Sequence, residues 1–415
     1  MGVSAMSDAS SGDIVDDATL RIVWAARGMP VLSSIREALT ASGALNGLRI
    51  GMGLVLEPKT ANLALALQHA GAQVSLHCRG RLTTDGVARA LEAAGLQVYA
   101  ERAATHDRDI ELARGFFQTR PDILLDDGAE LIRMAHREYP DLVEDMLGAA
   151  EQTTSGVRAL RAMHAQGALK LPVIAVGDSR IKYLFENVYG TGQSCVMALL
   201  DITNLQIAGR VVMVVGYGWV GQGVARHAAA LGARVVVSEI DAVRALQALH
   251  DGHRVQSLSD AAPDAEIVFA ATGVAGAVTR AHIEGMQDGV ILCTAGGGAF
   301  ELPMDYLNAL GTATAVRPSV TEYSTPAGKT VLVIGQGDCL NCSDAEGNPI
   351  EVMDLTLSLQ ALVAERIAAE GRNRPPGVYP VGPQIESAVT EGRLRHEGAT
   401  LETLTEELLA AMNSW

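Results

Sequence analysis

The sequence contains no apolar run approaching the ~20 residues that a membrane-spanning helix needs. Residues 1–16 are small, polar and acidic, with no basic segment followed by an apolar one, so they predict a flexible tail rather than a signal peptide. Positive charge is also scarce, because 32 Lys and Arg face 48 Asp and Glu, for a net charge of −16. These features predict a cytoplasmic protein that binds neither membranes nor nucleic acid.

Cysteine and aromatic residues are few as well. The five cysteines are an odd number, which favours free thiols. The close pair Cys339 and Cys342 could be half a zinc site or a redox pair, but no second pair and no nearby histidine completes a metal site, so we expect no metal. Aromatics make up 4% while aliphatic residues and alanine are plentiful, which suits an α/β protein. A chain of 415 residues predicts two domains.

One stretch, residues 211–239, carries a specific signal. An apolar run leads into Gly216-x-Gly218-x-x-Gly221, a helical pattern follows, and Glu239 ends a second predicted strand. This is the dinucleotide-binding fingerprint, in which glycines allow a tight turn and the helix N-terminus faces the pyrophosphate. Glu239 can accept hydrogen bonds from ribose hydroxyls and would repel a 2′-phosphate, which favours NAD over NADP. The alternative is a βαβ turn whose glycines serve packing only.

Other residues are expected to touch this cofactor because they lie in the same loop or at neighbouring strand ends, where ligands bind in open α/β sheets. They are Trp219, Val220, Thr272, Gly273, Ala295 and Gly296.

Short apolar segments alternate with helical patterns before this unit and after it. In the first half, strands are predicted at 48–56, 73–76, 97–100 and 123–125, with helices at 60–70, 85–94 and 110–118. Such alternation predicts an α/β fold with two doubly wound parallel sheets. The predicted parts are a flexible tail at 1–16, a substrate domain at 17–185 and 352–378, an inserted Rossmann NAD-binding domain at 186–351, and a C-terminal helical oligomerisation segment at 379–415.

Three polar segments could carry chemistry. Asp126-Asp127-Gly128 ends a predicted strand and could supply a general base, although aspartate is equally favoured as a helix N-cap. The run 151–155 is rich in hydroxyls and amides, which suits sugar or nicotinamide contacts but also a polar helix start. Lys182 and Glu186 share one helical face, either as a surface pair or as a tuned lysine in a cleft.

Several runs together resemble the S-adenosylhomocysteine hydrolases over nearly the whole chain. They are DDGAELI (126–132), EQTTSGV (151–157), KYLFENVYGTGQS (182–194), GYGWVGQG (216–223), LNCSDAEGNPIEVMD (340–354) and YPVG (379–382). The resemblance implies an inserted NAD domain and a homo-oligomer, tetramer or dimer. It also implies a nucleoside substrate that is oxidised at the 3′-hydroxyl, loses its 5′ substituent by β-elimination and is reduced again.

The resemblance assigns roles to particular residues. It makes Asp127 the carboxylate near C4′ and Lys182 the lysine that assists oxidation. The residues that it places at the cofactor are Asn187, Thr153, Thr154, Ser155 and Asn341.

The chain departs from the family at three histidines. The family's LHMT motif falls where this chain reads GLVLE, ending in Glu57. Its GHFD motif falls on GGGA at 296–299, and its GHP motif on GNP, which contains Asn348. Further departures are Gln152 for an acid, Glu186 for an aspartate, Thr191 for a cysteine, and Asp85 at the end of the family's STQ run. We place Gln152, Glu186 and Glu57 with the catalytic residues, and Thr191, Asn348 and Asp85 at the substrate.

A retained redox set without the histidines that handle leaving group and water favours altered chemistry. The main hypothesis is therefore a nucleoside dehydratase, a lyase that removes a hydroxyl as water and resembles steps in nucleoside-antibiotic pathways such as angustmycin. Glu57 or Lys59 would supply the acid for the leaving group, although a plain surface role is the alternative. The other hypotheses are an S-adenosylhomocysteine hydrolase and a non-catalytic NAD-binding regulator.

Overall fold

The computed structural model describes residues 11–415, without the side chains of residues 11–16 and of Ala299. The predicted tail, 1–16, falls outside the described residues over 1–10, and its last six residues belong to the first helix. No described helix is long and apolar enough to cross a membrane.

Fifteen strands are described, and they form two sheets. They are β1 (Arg49–Gly53), β2 (Gln73–Cys78), β3 (Gln97–Ala100), β4 (Ile123–Asp126), β5 (Gly148–Glu151), β6 (Pro172–Ala175), β7 (Val211–Val215), β8 (Arg234–Ser238), β9 (Arg254–Val255), β10 (Ile267–Ala270), β11 (Val290–Thr294), β12 (Thr314–Arg317), β13 (Val320–Ser324), β14 (Thr330–Ile334) and β15 (Gly377–Pro380).

Helices connect the strands. They are α1 (Ser11–Arg27), α2 (Pro30–Ser42), α3 (Pro58–His69), α4 (Asp85–Ala93), α5 (His106–Phe117), α6 (Glu130–Glu138), α7 (Pro140–Asp145), α8 (Thr154–Ala165), α9 (Gly192–Thr203), α10 (Trp219–Ala230), α11 (Ala242–His250), α12 (Leu258–Ala261), α13 (Arg280–Gly285), α14 (Met304–Ala309), α15 (Leu340–Ser343), α16 (Ile350–Glu370), α17 (Pro383–His396) and α18 (Glu406–Met412). A π-helix, Lys182–Thr191, precedes α9.

The first sheet has the order β3-β2-β1-β4-β5-β6-β15, and all of its strands are parallel. The second has the order β9-β8-β7-β10-β11-β14-β13-β12. The first six strands in this order are parallel, whereas β13 pairs antiparallel with both β14 and the edge strand β12. Both sheets therefore follow the doubly wound order, which reverses beside β1 in one and beside β7 in the other. The predicted α/β class with two such sheets is confirmed, with an antiparallel edge that the pattern does not predict.

The chain leaves the second sheet through α16, which returns to the first core. Leu357, Leu359 and Val363 of this helix are fully buried with the first sheet's apolar residues. Strand β15 then pairs with β6, so the first sheet continues past the predicted boundary between 378 and 379. Helix α17 is not among the predicted elements, and its Val389 is buried in the same core. Only the remainder, from about residue 397, is an exposed C-terminal segment.

Candidate active site

Polar residues collect at the carboxyl edge of the first sheet. The order reverses between β1 and β4, so the loops after these strands diverge and leave a crevice, where α/β proteins bind ligands. The segments that follow β1, β4, β5 and β6 carry Glu57, Asp127, Gln152 and Lys182, respectively. The fold therefore brings residues from four separate stretches of sequence to one edge.

The second sheet repeats this arrangement. Its order reverses between β7 and β10, and the loops after β7, β10, β11 and β14 carry the predicted cofactor residues Gly216, Thr272, Ala295 and Asn341. The seven-residue distance from Ile334 to Asn341 is spanned by a short turn and the start of α15.

The two edges face each other. The Arg158 guanidinium on α8 donates to the Gly273 carbonyl after β10, at 3.0 Å. The Trp219 ring, at the start of α10, stacks on Tyr183 of the π-helix with ring centroids 4.5 Å apart. A side chain at Gly296 would lie 3.5 Å from Thr191 of that helix. The predicted substrate and cofactor residues thus share one cleft.

The adjacent aspartates have different roles. Asp126 is buried and accepts hydrogen bonds from the backbone N–H groups of Asp127 (3.0 Å) and Ile132 (2.8 Å), so it holds the start of α6. Asp126 thus stabilises the first turn of α6, but the N-cap position itself is Ala129, so the N-cap alternative is wrong for both aspartates. The Asp127 side chain is partly exposed and makes no hydrogen bond to the residues that the structure describes. Asp127 is accordingly the free carboxylate of the pair.

Glu151 fixes the turn that presents Asp127. Its carboxylate is fully buried and accepts from the N–H groups of Gly128 and Ala129, each at 2.8 Å, and from the Thr153 hydroxyl at 2.6 Å. Burial raises the pKa of Glu151 well above its usual value, and the neighbouring aspartates add to this shift. The hydroxyl-rich run points to this segment, but the sequence alone does not reveal the positioning role of its first residue.

The surroundings of Asp127 suit a general base. Burial raises the pKa of Asp127 to about 6, with the Lys182 ammonium opposing the rise and the Glu186 carboxylate adding to it. A carboxyl group with a pKa near 6 is ionised at neutral pH, yet it is a stronger base than an ordinary carboxylate. Perturbed values of this kind are enriched at catalytic sites.

Lys182 owes its contacts to the π-helix. Its ammonium lies 2.6 Å from Asn187 Oδ1 and 3.0 Å from Glu186 Oε1, and only 6% of the residue is exposed. The π-helix repeats hydrogen bonds at five-residue intervals, so it brings residue 187 alongside residue 182. The predicted pair at i and i+4 is therefore a buried ion pair rather than a surface one.

Four positions that depart from the family pattern form one hydrogen-bonded cluster. Gln152 Nε2 donates to Glu186 Oε2 at 3.0 Å, and Asn348 Nδ2 to Glu186 Oε1 at 3.4 Å. The Thr191 hydroxyl donates to Asn348 Oδ1 at 3.3 Å. Gln360 on α16, which the sequence does not single out, donates to Gln152 Oε1 at 2.6 Å and so fixes the orientation of the Gln152 amide. We call Gln152, Glu186, Thr191 and Asn348 the substituted cluster.

Glu57 and Lys59 form a second pair at the cleft. The Glu57 carboxylate caps α3 by accepting from the N–H of Lys59 at 2.9 Å, and it also lies 2.8 Å from the Lys59 ammonium. Lys59 is 4% exposed and donates across the cleft to the Glu346 carbonyl at 2.6 Å. The surface alternative is wrong for Lys59, whereas the acid role of either residue stays a prediction.

The remaining residues predicted to contact ligands differ in exposure and in whether their side chains are already hydrogen-bonded. Thr153 is the N-cap of α8 and its hydroxyl is already engaged, whereas Thr154 and Ser155 are exposed. Asp85 accepts from the N–H of Arg102 at 2.8 Å and has no hydrogen bond to the substituted cluster within the described chain. Its substrate role therefore stays a prediction.

The dinucleotide loop has the shape that a pyrophosphate requires. Gly216 has φ +94°, and a Cβ at Gly221 would clash with the Gly216 carbonyl, so the helix can pack here only with glycine. A Cβ at Gly218 would meet only the Arg244 guanidinium within 4 Å, at 3.7 Å. Open space bordered by a cation and the start of α10 fits the phosphates of NAD.

Glu239 lies directly after β8, where the fingerprint predicts contact with the adenosine ribose. Its Oε2 accepts from Tyr217 N at 2.7 Å, and its Oε1 from Ile240 N at 2.6 Å and Asp241 N at 2.9 Å. The carboxylate is thereby fixed, and its remaining lone pairs can accept from ribose hydroxyls.

The other cofactor candidates are held by neighbours. Thr272 donates through both its N–H and its hydroxyl to Glu301 Oε2, each at 2.7 Å. A side chain at Gly296 would lie 3.0 Å from Val220, so the loop after β11 lies against the start of α10. Asn341 is 1% exposed, and its amide donates to Ser194 and Asn348, each at 2.9 Å.

The Glu239 contacts lead to a prediction about cofactor choice. Replacing Glu239 with serine frees three backbone N–H groups beside Arg244, and these groups together can hold a 2′-phosphate. We expect the ratio of NADP to NAD affinity to rise by about 10-fold or more, measured by calorimetric titration of the cofactor-free protein. The control is Glu239→Ser with Arg244→Ala, which should lose the gain. An unchanged ratio in Glu239→Ser would refute this account of specificity.

Two family models match the chain. The model described as the S-adenosyl-L-homocysteine hydrolase matches residues 15–139, and its NAD-binding domain model matches residues 187–347.

Full-length relatives agree with these matches. The chain is 44% identical over 397 residues to the S-inosyl-L-homocysteine hydrolase of Methanopyrus kandleri, covering 95% of this chain and 94% of that protein. It is 39% identical to the adenosylhomocysteinase of Thermotoga maritima, with 95% and 98% covered, and 41% identical to that of Archaeoglobus fulgidus, with 95% and 98% covered.

Among solved structures, a dipicolinate synthase from Bacillus halodurans shares the fold at a TM-score of 0.50 and 16% identity, covering 79% of this chain and all of that one. At that identity the likeness concerns the fold alone. The family matches and the relatives above 30% identity decide the assignment. The chain is an NAD-dependent enzyme that belongs to the S-adenosyl-L-homocysteine hydrolase family.

Proposed function

We propose that this enzyme hydrolyses the bond between C5′ and sulfur in an S-nucleosyl-L-homocysteine, releasing homocysteine and a purine nucleoside. The observation that carries the proposal is the buried Lys182–Glu186 pair beside Asp127, in a family whose relatives are named for this hydrolysis. Relatives named for the inosyl and for the adenosyl compound both align over the whole cleft, so the base is a purine of either kind.

In the proposed reaction each residue of the site has a separate role. NAD, when bound, takes up two electrons from the sugar and returns them at the end of the cycle. The Lys182–Glu186 pair takes up the proton of the 3′-hydroxyl and later gives it back. Asp127 removes the C4′ proton, which the adjacent ketone acidifies, and the C5′–S bond breaks as the alkene forms. Water then adds at C5′ and its second proton goes to the departed thiolate. Asp127, whose carboxyl proton has exchanged with solvent meanwhile, protonates C4′.

The need for an acid differs between the two possible leaving groups, thiolate and hydroxide, and this difference bears on the missing histidines. A thiol has a pKa of about 8.5, so a thiolate departs without much help from an acid. Hydroxide is the conjugate base of water, with a pKa of about 15.7, and its departure requires a proton donor. Loss of the histidines is thus tolerated better for thioether cleavage than for dehydration. The names of the relatives also support the hydrolase better than the dehydratase that the missing histidines suggest.

One observation favours dehydration as a second candidate. The Lys59 ammonium is buried beside Glu57, next to one vacated histidine position, and could protonate a departing hydroxyl. The amide side chains of Gln152 and Asn348 cannot act as a base toward water at neutral pH. Without a base to activate water, the 3′-ketone of the intermediate would be reduced before water adds to its alkene.

A product assay separates the two candidates. The purified enzyme is offered S-adenosyl-homocysteine, S-inosyl-homocysteine and a hexulosyl purine nucleoside in separate reactions. We expect free thiol from at least one thioether and unchanged hexulosyl nucleoside, with the Lys182→Met variant as the inactive control. Loss of water from the hexulosyl nucleoside without thiol release from either thioether would reject the hydrolase in favour of the dehydratase.

We also propose that the enzyme is a cytoplasmic homo-oligomer, a tetramer or dimer. The C-terminal segment supports this, because Leu408, Leu409 and Met412 of α18 and Trp415 beyond it are all exposed in the single chain. Light scattering coupled to gel filtration would report a monomer if this proposal is wrong.

A further inference from the structure

We propose that Cys339 and Cys342 form a reversible disulfide that weakens NAD binding at Asn341. The inference rests on the proposed function only in taking the cycle to use bound NAD, together with the contact between Asn341 and NAD that the family resemblance implies. It concerns a motif that the hydrolytic mechanism does not use.

The two thiols are already placed for bond formation. Their sulfurs lie 3.5 Å apart, and the Cys342 N–H donates to the Cys339 carbonyl at 3.1 Å, which closes the turn that carries both. A disulfide needs about 2.05 Å between sulfurs, so side-chain rotation within one turn can supply the approach. Among the described residues no group of three His, Cys, Asp or Glu side chains could hold a metal ion, which leaves the redox alternative for this pair.

Accessibility distinguishes this pair from the other cysteines. Cys339 and Cys342 are half-buried, whereas Cys78, Cys195 and Cys293 are buried. The hydrogen bond with Cys339 and burial raise the pKa of the Cys342 thiol well above its usual value. Cys339 is therefore the attacking thiol and Cys342 the resolving one.

Asn341 connects the pair to the cofactor site. Its Oδ1 lies 3.2 Å from the Cys339 sulfur, 3.6 Å from the Cys342 sulfur and 3.4 Å from the Cys195 sulfur. Oxidation removes the S–H of Cys339, which Asn341 Oδ1 and the Cys342 sulfur share, and the S–H of Cys342, so only Cys195 still donates to Oδ1. The same amide donates to Asn348, so the change also reaches the substituted cluster.

The oxidant is a low-molecular-weight disulfide. The Cys339 thiolate attacks one of its sulfurs, giving a mixed disulfide and one released thiol. Cys342 then loses its proton and displaces the second small thiol, which forms the internal bond. Two electrons and two protons pass in total from the cysteines to the small disulfide. A dithiol reductant reverses both steps.

The test uses the full-length enzyme, cofactor-free and NAD-loaded, equilibrated with mixtures of oxidised and reduced glutathione. Intact mass and peptide mapping report the disulfide, and calorimetric titration reports the NAD dissociation constant. We expect a 339–342 disulfide in the cofactor-free enzyme, an increase of about 10-fold or more in that constant, and recovery with dithiothreitol. Cys339→Ser and Cys342→Ser keep a hydrogen-bond donor and should bind NAD equally under both conditions.

Two results would overturn the proposal: absence of this disulfide from the oxidised cofactor-free enzyme, or an unchanged NAD dissociation constant once it has formed. Failure of the proposed function is distinguishable, because it would appear as reduced enzyme that binds NAD but releases no thiol from either thioether. Neither the mass measurement of the disulfide nor the calorimetric titration of NAD requires catalytic turnover.

Discussion

Lys182→Met should lower turnover by about 10³-fold while NAD remains bound, because the variant keeps the volume of the side chain and removes its proton-handling group. The ammonium of Lys182 contacts Glu186 at 3.0 Å and Asn187 at 2.6 Å, and no other described side chain can supply a cation to both. Turnover is measured as thiol release, and cofactor content by extraction from the purified variant.

A structural explanation for that loss must be separated from a chemical one. Removing Lys182 alone leaves the buried Glu186 carboxylate unpaired, which destabilises the site. The double variant Lys182→Met with Glu186→Gln removes both charges and is the matched control. Both variants should be equally inactive, and the double variant should unfold near the wild-type temperature. Wild-type turnover in either one would exclude Lys182 from the reaction.

Asp127→Asn should abolish exchange of the C4′ hydrogen with solvent and lower turnover by about 10²- to 10⁴-fold. The amide has the size of the carboxyl group but cannot accept a proton at neutral pH. Because Asp127 must be ionised to act as the base and its pKa is raised to about 6, wild-type kcat/KM should fall as the pH drops through about 6. Deuterium incorporation from heavy water measures exchange directly.

Stability provides the control for this variant. The folded state raises the pKa of Asp127, so the ionised form is disfavoured on folding, and the contribution of this group to stability falls as the pH rises from about 4 through about 6. Asp127→Asn does not titrate and should melt at or above the wild-type temperature at pH 8. Retained hydrogen exchange, or a pH profile with no fall near 6, would exclude Asp127 as the base.

The second domain can be predicted from sequence to a greater extent than the first. Gly216, Gly221 and Glu239 act within one βαβ unit, so their spacing alone predicts a local geometry that the structure contains. Strands β5 and β6 are harder, because GAAE lacks β-branched residues and both segments are only four residues long. Strand β15 pairs with a segment 205 residues earlier (Gly377 with Pro172), and no local pattern shows that partner.

At the site, the sequence predicts residue identities better than their contacts. Lys182 and Glu186 are expected on one helical face, but the Asn187 contact depends on the π-helical turn, which five residues of sequence do not reveal. Asp126 and Asp127 are equivalent by position. Their roles separate only when Glu151, from the next strand, fixes the turn that follows them.

The relation among the residues that depart from the family pattern is visible only in the structure. Gln152, Glu186, Thr191 and Asn348 come from three distant segments, and each looks like an isolated substitution in sequence. In the structure they form one hydrogen-bonded unit against Lys182. Residues in such contact are energetically coupled, so substituting one back toward the family pattern should be costly unless its partners change too.

The central claim is a cycle on one nucleoside that consumes no NAD and depends on Asp127 and Lys182. The most direct measurement is the reaction of NAD-loaded enzyme with S-inosyl- or S-adenosyl-homocysteine in heavy water, without added cofactor. Thiol release and deuterium at C4′ of the product nucleoside are followed together. The account predicts many equivalents of thiol per enzyme, with deuterium in the product. Release that stops at one equivalent, or a product without deuterium at C4′, would contradict it.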